Sequence, residues 1–187
     1  MDGIGILERE HDNILRMVEV IHKASLKALR EKTVDVQDFK KIVNFIRKYA
    51  DKTHHDKEEK YLFKAMTDSL DTMGENLVRH GMLVEHDLAR LYVSELDAAL
   101  DARLTRATDE NLLQILVAVG SYSELLKRHI DKENNVVFPF GEKNLPTGLA
   151  RQVDAEMHAF EQDSKRSATR NEQLQALKLL EKKYAQP

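Results

Sequence analysis

The sequence predicts an all-α protein, an up-down-up-down four-helix bundle with additional helices at its C-terminus. Three observations carry that expectation. Turn punctuation is sparse, with 7 glycines and 3 prolines in 187 residues, which favours long helices over many short strands. Apolar residues recur at alternating spacings of three and four over four long stretches, the signature of helices with one packed face. The links between those stretches are short, so consecutive helices must be antiparallel neighbours.

The first stretch places Ile4, Leu7, Ile14, Val18 and Ile21 on one seam, and the seam position between Leu7 and Ile14 is His11. It fades near Lys32-Thr33, and Asp35 is placed to cap the next helix. The second, from 36 to 69, carries Phe39, Val43, Ile46, Ala50, His54, Glu58, Tyr61 and Ala65 on one stripe. At roughly 1.5 Å per residue it would run about 50 Å. Residues 69–74 read as a connection. The third helix follows with Val78, Met82, His86, Ala89, Val93, Leu96 and Leu100. A break at Thr105 to Thr108 leaves Thr108 as an N-cap. The fourth carries Leu112, Ile115, Val119, Tyr122, Leu126, His129, Glu133, Val137 and Phe140, and Pro139 and Gly141 are expected to end it. Two further helices follow, one from about Thr147 to Ser164 and one starting near Thr169, where Thr169-x-x-Glu172 resembles a capping box. Residues 1–143 thus form the bundle and 144–187 a helical extension packed on it.

Composition narrows the function classes. The net charge is −3 with no basic block, so nothing points to nucleic acid or an anionic membrane. The chain has no cysteine, which removes disulfides, thiolate metal sites and cysteine nucleophiles together. No apolar run approaches the roughly 20 residues of a membrane span, and the N-terminus lacks a basic-then-apolar signal. The expectation is a cytoplasmic protein.

The chemistry is concentrated in a repeat. His54-His55-Asp56-Lys57-Glu58-Glu59 recurs as His129-Ile130-Asp131-Lys132-Glu133-Asn134, at an offset of 129 − 54 = 75 residues. Glu10-His11-Asp12 recurs as Glu85-His86-Asp87 at the same offset, 86 − 11 = 75. Residues four apart share a helix face, so His54 with Glu58, and His129 with Glu133, can address one point inside the bundle. An unpartnered buried carboxylate costs on the order of several kcal/mol. Four inward histidines and two inward glutamates at one level therefore need a shared compensation, which metal ions supply. The count suggests two ions, each held by two histidines, with both glutamates bridging. Nitrogen and oxygen donors without sulfur suit iron, manganese or zinc, and a carboxylate-bridged pair in a helical bundle favours iron. The ferritin-like di-iron pattern needs Glu-x-x-His twice, and here only Glu8 with His11 has that spacing.

The remaining candidates are read against that cluster. His55 follows His54 and should point about 100° away on an α-helix, in a supporting or interfacial position rather than as a ligand. His80 lies on a different face from His86. His22 lies some 16 Å along the axis from His11, by the rise of roughly 1.5 Å per residue, and His158 belongs to the surface of the extension. Glu59 is a candidate hydrogen-bond partner of a ligand imidazole. Tyr122, one stripe with His129, is the candidate catalytic phenol, with core packing as its simpler role.

These motifs resemble the hemerythrin-like, HHE cation-binding family over roughly residues 4 to 141. The most specific parts are Tyr49 to Glu59 with Leu62-Phe63, Met82 to His86, and His129 to Glu133 with Val137-Phe138-Pro139. The resemblance implies a four-helix bundle around a non-heme di-iron centre with an oxo or hydroxo bridge. Carried over by position, the ligands are His11, His54, Glu58, His86, His129 and Glu133. Two departures stand out. Oxygen-carrying members have His-x-x-x-His on the third helix, where this chain has Met82 four residues before His86. They also have a bridging Asp five residues after the fourth helix's His, where this chain has Asn134. One histidine is therefore missing from the carrier pattern, which implies open metal positions. The expectation is reaction with, or sensing of, O₂, hydrogen peroxide or nitric oxide. A peroxidase-like, catalase-like or NO-reducing oxidoreductase would also need an electron donor. The alternatives are binding, storage or sensing of O₂ or iron without turnover, and donation of iron for metal-centre repair.

Overall fold

The computed structural model describes residues 1–185, and among them every long periodic stretch is helical and no strand occurs. Helix α1 spans Asp2–Glu31 and stops where Lys32 turns left-handed, φ 53°, its N–H bonding the Ala28 carbonyl. Asp35 caps α2 by accepting from the Asp38 N–H. Helix α2 begins as an α-helix at Val36–Phe45, widens into π-helix over Ile46–His55 and Glu58–Leu62, and returns to α-helix at Phe63–Ser69. Helix α3 comprises Thr72–Glu75, a π segment at Asn76–Met82, and Leu83–Thr105. Thr108 caps α4, accepting from the Asn111 N–H; α4 runs through Asp109–Lys132, a π segment at Glu133–Val137, and Phe138–Asn144. Helices α5 (Thr147–Gln162) and α6 (Ser164–Lys183) complete the fold.

Three expectations about boundaries are corrected. Pro139 and Gly141 do not end α4, which continues to Asn144. Pro139 falls in the first turn after a π segment, where a missing N–H is tolerated. The last helix starts not at Thr169 but at Ser164, because Asp163 accepts from the Arg166 N–H and takes the capping role. The link between α2 and α3 shortens to two residues, since Asp71 caps α3 by accepting from the Met73 N–H.

The bundle's apolar interior is in two parts. One cluster, with Ile14, Phe39, Phe45, Tyr49, Leu100 and Ile115, fills the end near the α1–α2 turn. The other, with Leu7, Leu62, Phe63, Met66, Val78 and Phe138, fills the opposite end. Between them lies a layer in which buried His11, His54, His55, Glu58, His86, His129 and Glu133 replace apolar residues. Helix α5 lays Val153, Met157 and Phe160 on the bundle, and α6 adds Leu177 and Leu180. Leu177 is 0% exposed within the first cluster. Leu177→Ala should cost about 2–5 kcal/mol, read as a lowered urea midpoint. A loss below about 1 kcal/mol would mean that α6 does not pack as a core element.

Candidate metal centre

The polar layer is assembled by one pattern used four times. His54 Nδ1 on α2 donates to Glu10 Oε2 on α1 (3.1 Å), and His86 Nδ1 on α3 donates to Glu59 Oε1 on α2 (2.8 Å). His129 Nδ1 on α4 donates to Glu85 Oε2 on α3 (2.9 Å), and His11 Nδ1 on α1 donates to Asn134 Oδ1 on α4 (2.7 Å). Three of the bonds join consecutive helices, and the fourth, between α1 and α4, closes the circuit. With Nδ1 donating outwards, each ring turns its Nε2 to the bundle axis, the arrangement that acceptors behind metal-bound histidines impose.

The inward atoms have no such partners. Among the described residues eleven buried side-chain nitrogens and oxygens lack a hydrogen bond, and ten of them belong to these seven residues. They are the Nε2 atoms of His11, His54, His86 and His129, both ring nitrogens of His55, and both oxygens of Glu58 and Glu133. They are nevertheless close together. His11 Nε2 is 3.1 Å and His129 Nε2 3.2 Å from Glu133 Oε2, and His54 Nε2 is 3.3 Å from Glu58 Oε1. Two donors at right angles about an ion roughly 2.1 Å from each would stand about 3 Å apart. Convergence without hydrogen bonding is what such an ion requires.

The donors fall into two sets. His11, His54, Glu58 and Glu133 offer atoms within 4.8 Å of one another, as do His55, His86 and His129. The carboxylates reach across: Glu58 Oε2 lies 3.5 Å from His86 Nε2 while its Oε1 faces His54, and Glu133 Oε1 lies 3.9 Å from His86 Nε2 while its Oε2 faces His11. All six residues expected at the centre are therefore brought together, in the expected pairing.

His55 overturns the expectation set for it. It is buried, its ring lies 3.7 Å from that of His86 and nearly parallel to it, and it completes a three-histidine set. The cause is the π-helix at Ile46–His55. Its i→i+5 bonds widen the turn, so successive residues are separated by less than the 100° of an α-helix, and His54 and His55 both reach the interior. Helix α2 thus brings a second imidazole into the layer, whereas on α3 Met82 is buried among apolar residues. The signal in the sequence was the His-His doublet beside an α3 one imidazole short. His80, His22 and His158 are exposed and remote. Tyr122 is buried and lines a cavity that also reaches His55.

Charge is balanced outwards as well. Glu10 accepts from buried Lys57 (2.5 Å), Glu59 from Arg90 (2.6 Å), and Glu85 from Lys132. Lys57 also donates to Glu161 of α5 (2.6 Å), so the C-terminal extension supplies the last link behind His54. Burial opposes the charge of Glu10 and Glu59, but His54 with Lys57, and His86 with Arg90, hold them below the usual carboxylate range. Glu133 is held well below it: burial pushes up, outweighed by His129 and His11. Burial opposes protonation of His54 and His86, yet Glu58 and Glu10 raise the former to about 10, and Glu133 and Glu59 the latter to about 9. His55 goes the other way, kept neutral by burial and by His86.

A family model, the hemerythrin HHE cation binding domain, matches residues 2–140. The chain belongs to the hemerythrin HHE cation-binding family. No curated protein and no solved structure matched it. Within the family frame, residues 141–187 lie beyond the matched domain, yet Glu161 reaches back to its polar layer.

Two outcomes follow from this geometry. Glu85→Gln and Glu10→Gln should each weaken metal binding about 10–100-fold, measured by chelator competition; equal affinity to the parent would mean the outer carboxylates do not support the ligands. Metal must also displace the protons that His54 and His86 carry at pH 7 in the metal-free protein, because both raised values lie above 7. Calorimetry in buffers of different ionisation enthalpy should show about two protons released per filled centre, and affinity should rise with pH until about 10. Uptake with no proton release would contradict that electrostatic picture.

Proposed function

We propose that the chain is a non-heme di-iron protein that reacts with or senses a small oxidant, O₂, hydrogen peroxide or nitric oxide. The observation that supports this reading is the set of ten buried donor atoms without hydrogen bonds, facing one another at the bundle's middle level. Five imidazoles and two carboxylates form a donor set suited to iron, manganese or zinc, and two bridging carboxylates in a helical bundle favour iron. Bound there, a pair of irons supplies redox equivalents and Lewis acidity.

The chain's own residues set the conditions. Glu10, Glu59, Glu85 and Asn134 fix four imidazole orientations before any ion arrives, so little side-chain rearrangement accompanies binding. The flanking apolar clusters keep water from both ends of the layer. Tyr122 faces the same cavity as His55, and burial, with Asp51 nearby, keeps its phenol protonated. It is the group placed to donate a hydrogen bond or a proton to a molecule entering there. A peroxidase-like, catalase-like or NO-reducing cycle would draw electrons from a separate donor. No helix among the described residues is long and apolar enough to cross a membrane, and a cytoplasmic setting suits the cysteine-free sequence.

Reversible binding or sensing without turnover is the second reading. A fifth imidazole supports it, because His55, as a ligand, would make good the shortage of histidine that argued against carriage. Iron donation fits less well, since every proposed ligand is buried and four rings are anchored from behind. Protein from iron-supplemented cells should hold two irons per chain with near-ultraviolet oxo-bridge absorption, and His129→Ala should lose both. Steady-state consumption of peroxide or nitric oxide separates enzyme from binder. Iron well below two per chain, with no such absorption, would overturn the di-iron reading.

A further inference from the structure

His55 differs from the other four imidazoles in three respects that bear on one another. It alone has no anchor: His11, His54, His86 and His129 each donate from Nδ1, whereas both nitrogens of His55 are buried without a hydrogen bond. The nearest acceptor, Asp51 Oδ1, stands 3.6 Å from His55 Nδ1, beyond hydrogen-bond reach, and is engaged by Arg90 at 2.8 Å. Open volume also lies beside His55. A cavity of about 360 Å³ between α2 and α3 is lined by His55, Tyr122, Ile46, Ala89 and Val93, with Arg90 among its charged residues. It also has no counterpart in the other half of the repeat. Adding 75 to His11, His54, Glu58, Glu59, Phe63 and Lys57 gives His86, His129, Glu133, Asn134, Phe138 and Lys132, but adding 75 to 55 gives Ile130.

We propose that His55 is an exchangeable third imidazole for the ion held by His86 and His129, and that the cavity beside it both receives the displaced ring and admits a small exogenous ligand to the vacated position. The proposal rests on the dinuclear metal reading above. An unanchored ligand is the one whose departure breaks no hydrogen bond behind it. The ring is already stacked on His86 at 3.7 Å, at the border between the metal layer and the cavity. Ile46, Ala89, Val93 and Tyr122 give the cavity an apolar wall, and the cations Arg47, Lys48, Lys52 and Arg90 also line it, which suits a small neutral or anionic ligand such as a diatomic molecule or azide, and imidazole itself. The two ions become inequivalent as a result. The His11–His54 ion has Ile130, an apolar core residue, where the repeat would place a ligand.

The test uses the full chain loaded with ferric iron and two probes, azide and free imidazole. His55→Ala should retain both irons, because four anchored imidazoles and two carboxylates remain. Its visible and near-ultraviolet spectrum should shift, and azide should associate at least about tenfold faster. Millimolar imidazole should restore the parental spectrum in His55→Ala, and should fail to do so once Ala89→Phe fills the cavity. His86→Ala, lacking an anchored ligand, should instead lose iron. His55→Gln, which keeps most of the volume, carries the same spectral and azide expectations if the alanine variant does not fold. A His55 variant with the parental spectrum and azide rate would show that His55 is no ligand. One that loses iron as His86→Ala does would show that it is a fixed ligand. Either result overturns the proposal. A parent chain that holds no iron pair is the distinct failure of the dinuclear reading, visible before any variant is made.

Discussion

A closed ring of hydrogen bonds between imidazoles and their acceptors holds the middle of this bundle in register. Glu10 on α1 receives His54 of α2, Glu59 on α2 receives His86 of α3, Glu85 on α3 receives His129 of α4, and Asn134 on α4 receives His11 of α1. Sliding any helix along its axis breaks two of these bonds, and an unmade hydrogen bond to a buried charged group costs roughly 1–3 kcal/mol or more. Apolar seams are permissive about small axial shifts, and so the two hydrophobic clusters alone would specify the level of each helix less sharply. The same bonds that fix register also turn the four anchored Nε2 atoms inwards. Structure and site therefore depend on one set of contacts.

The ring follows the internal repeat, and the departures from the repeat carry the information about function. Glu59 and Asn134 are equivalent by position, so one imidazole rests on an anionic acceptor and its counterpart on a neutral amide. A carboxylate behind a ring raises its basicity more than an amide does. Lys57 is buried and tied to Glu161 of α5, while its counterpart Lys132 is half exposed. The extension thus covers the half of the centre that holds His54 and leaves the other half nearer to solvent. His55 against Ile130 is the largest departure, three imidazoles against two. A duplicated scaffold that is nearly symmetric in its anchors is distinctly asymmetric in its inward donors.

Much of this was legible in the residues. The seam spacing located all four bundle helices, and Asp35 and Thr108 were readable as caps because an acceptor side chain before an apolar period has few other roles. The six donors shared by both halves followed from the 75-residue offset. That offset also contained the anchors, since Glu10 and Lys57 recur as Glu85 and Lys132, but repetition alone does not say which imidazole an acid holds on a neighbouring helix. His55 was misplaced for a different reason. Periodicity assumes 100° per residue, and the π segments at Ile46–His55, Asn76–Met82 and Glu133–Val137 break that assumption on three of the four helices. Pro139 was misread as a helix breaker because the π segment before it, which tolerates the missing N–H, was not foreseen, and the start of α6 was misread because Asp163 competes with Thr169 for the cap.

On α2 and α4 the π segments hold inward donors, and that coincidence has a physical explanation. An α-helix presents one residue in about three and a half to a bundle axis, too few for α2 to direct His54, His55 and Glu58 inwards within five positions. Widening the turn gives more inward positions per unit length, at the cost of poorer backbone bonding, which is why π-helix is rare and clusters at functional sites. The cost is borne where a cation would offset it. Helix α1 contributes only His11 as an inward donor and stays α-helical throughout Asp2–Glu31, whereas α2, which contributes three, carries the longest π segment. On α2 and α4 the widened turns hold His54, His55, Glu58 and Glu133, whereas the π segment of α3 buries Val78 and Met82 in the second apolar cluster, so there the widening serves apolar packing.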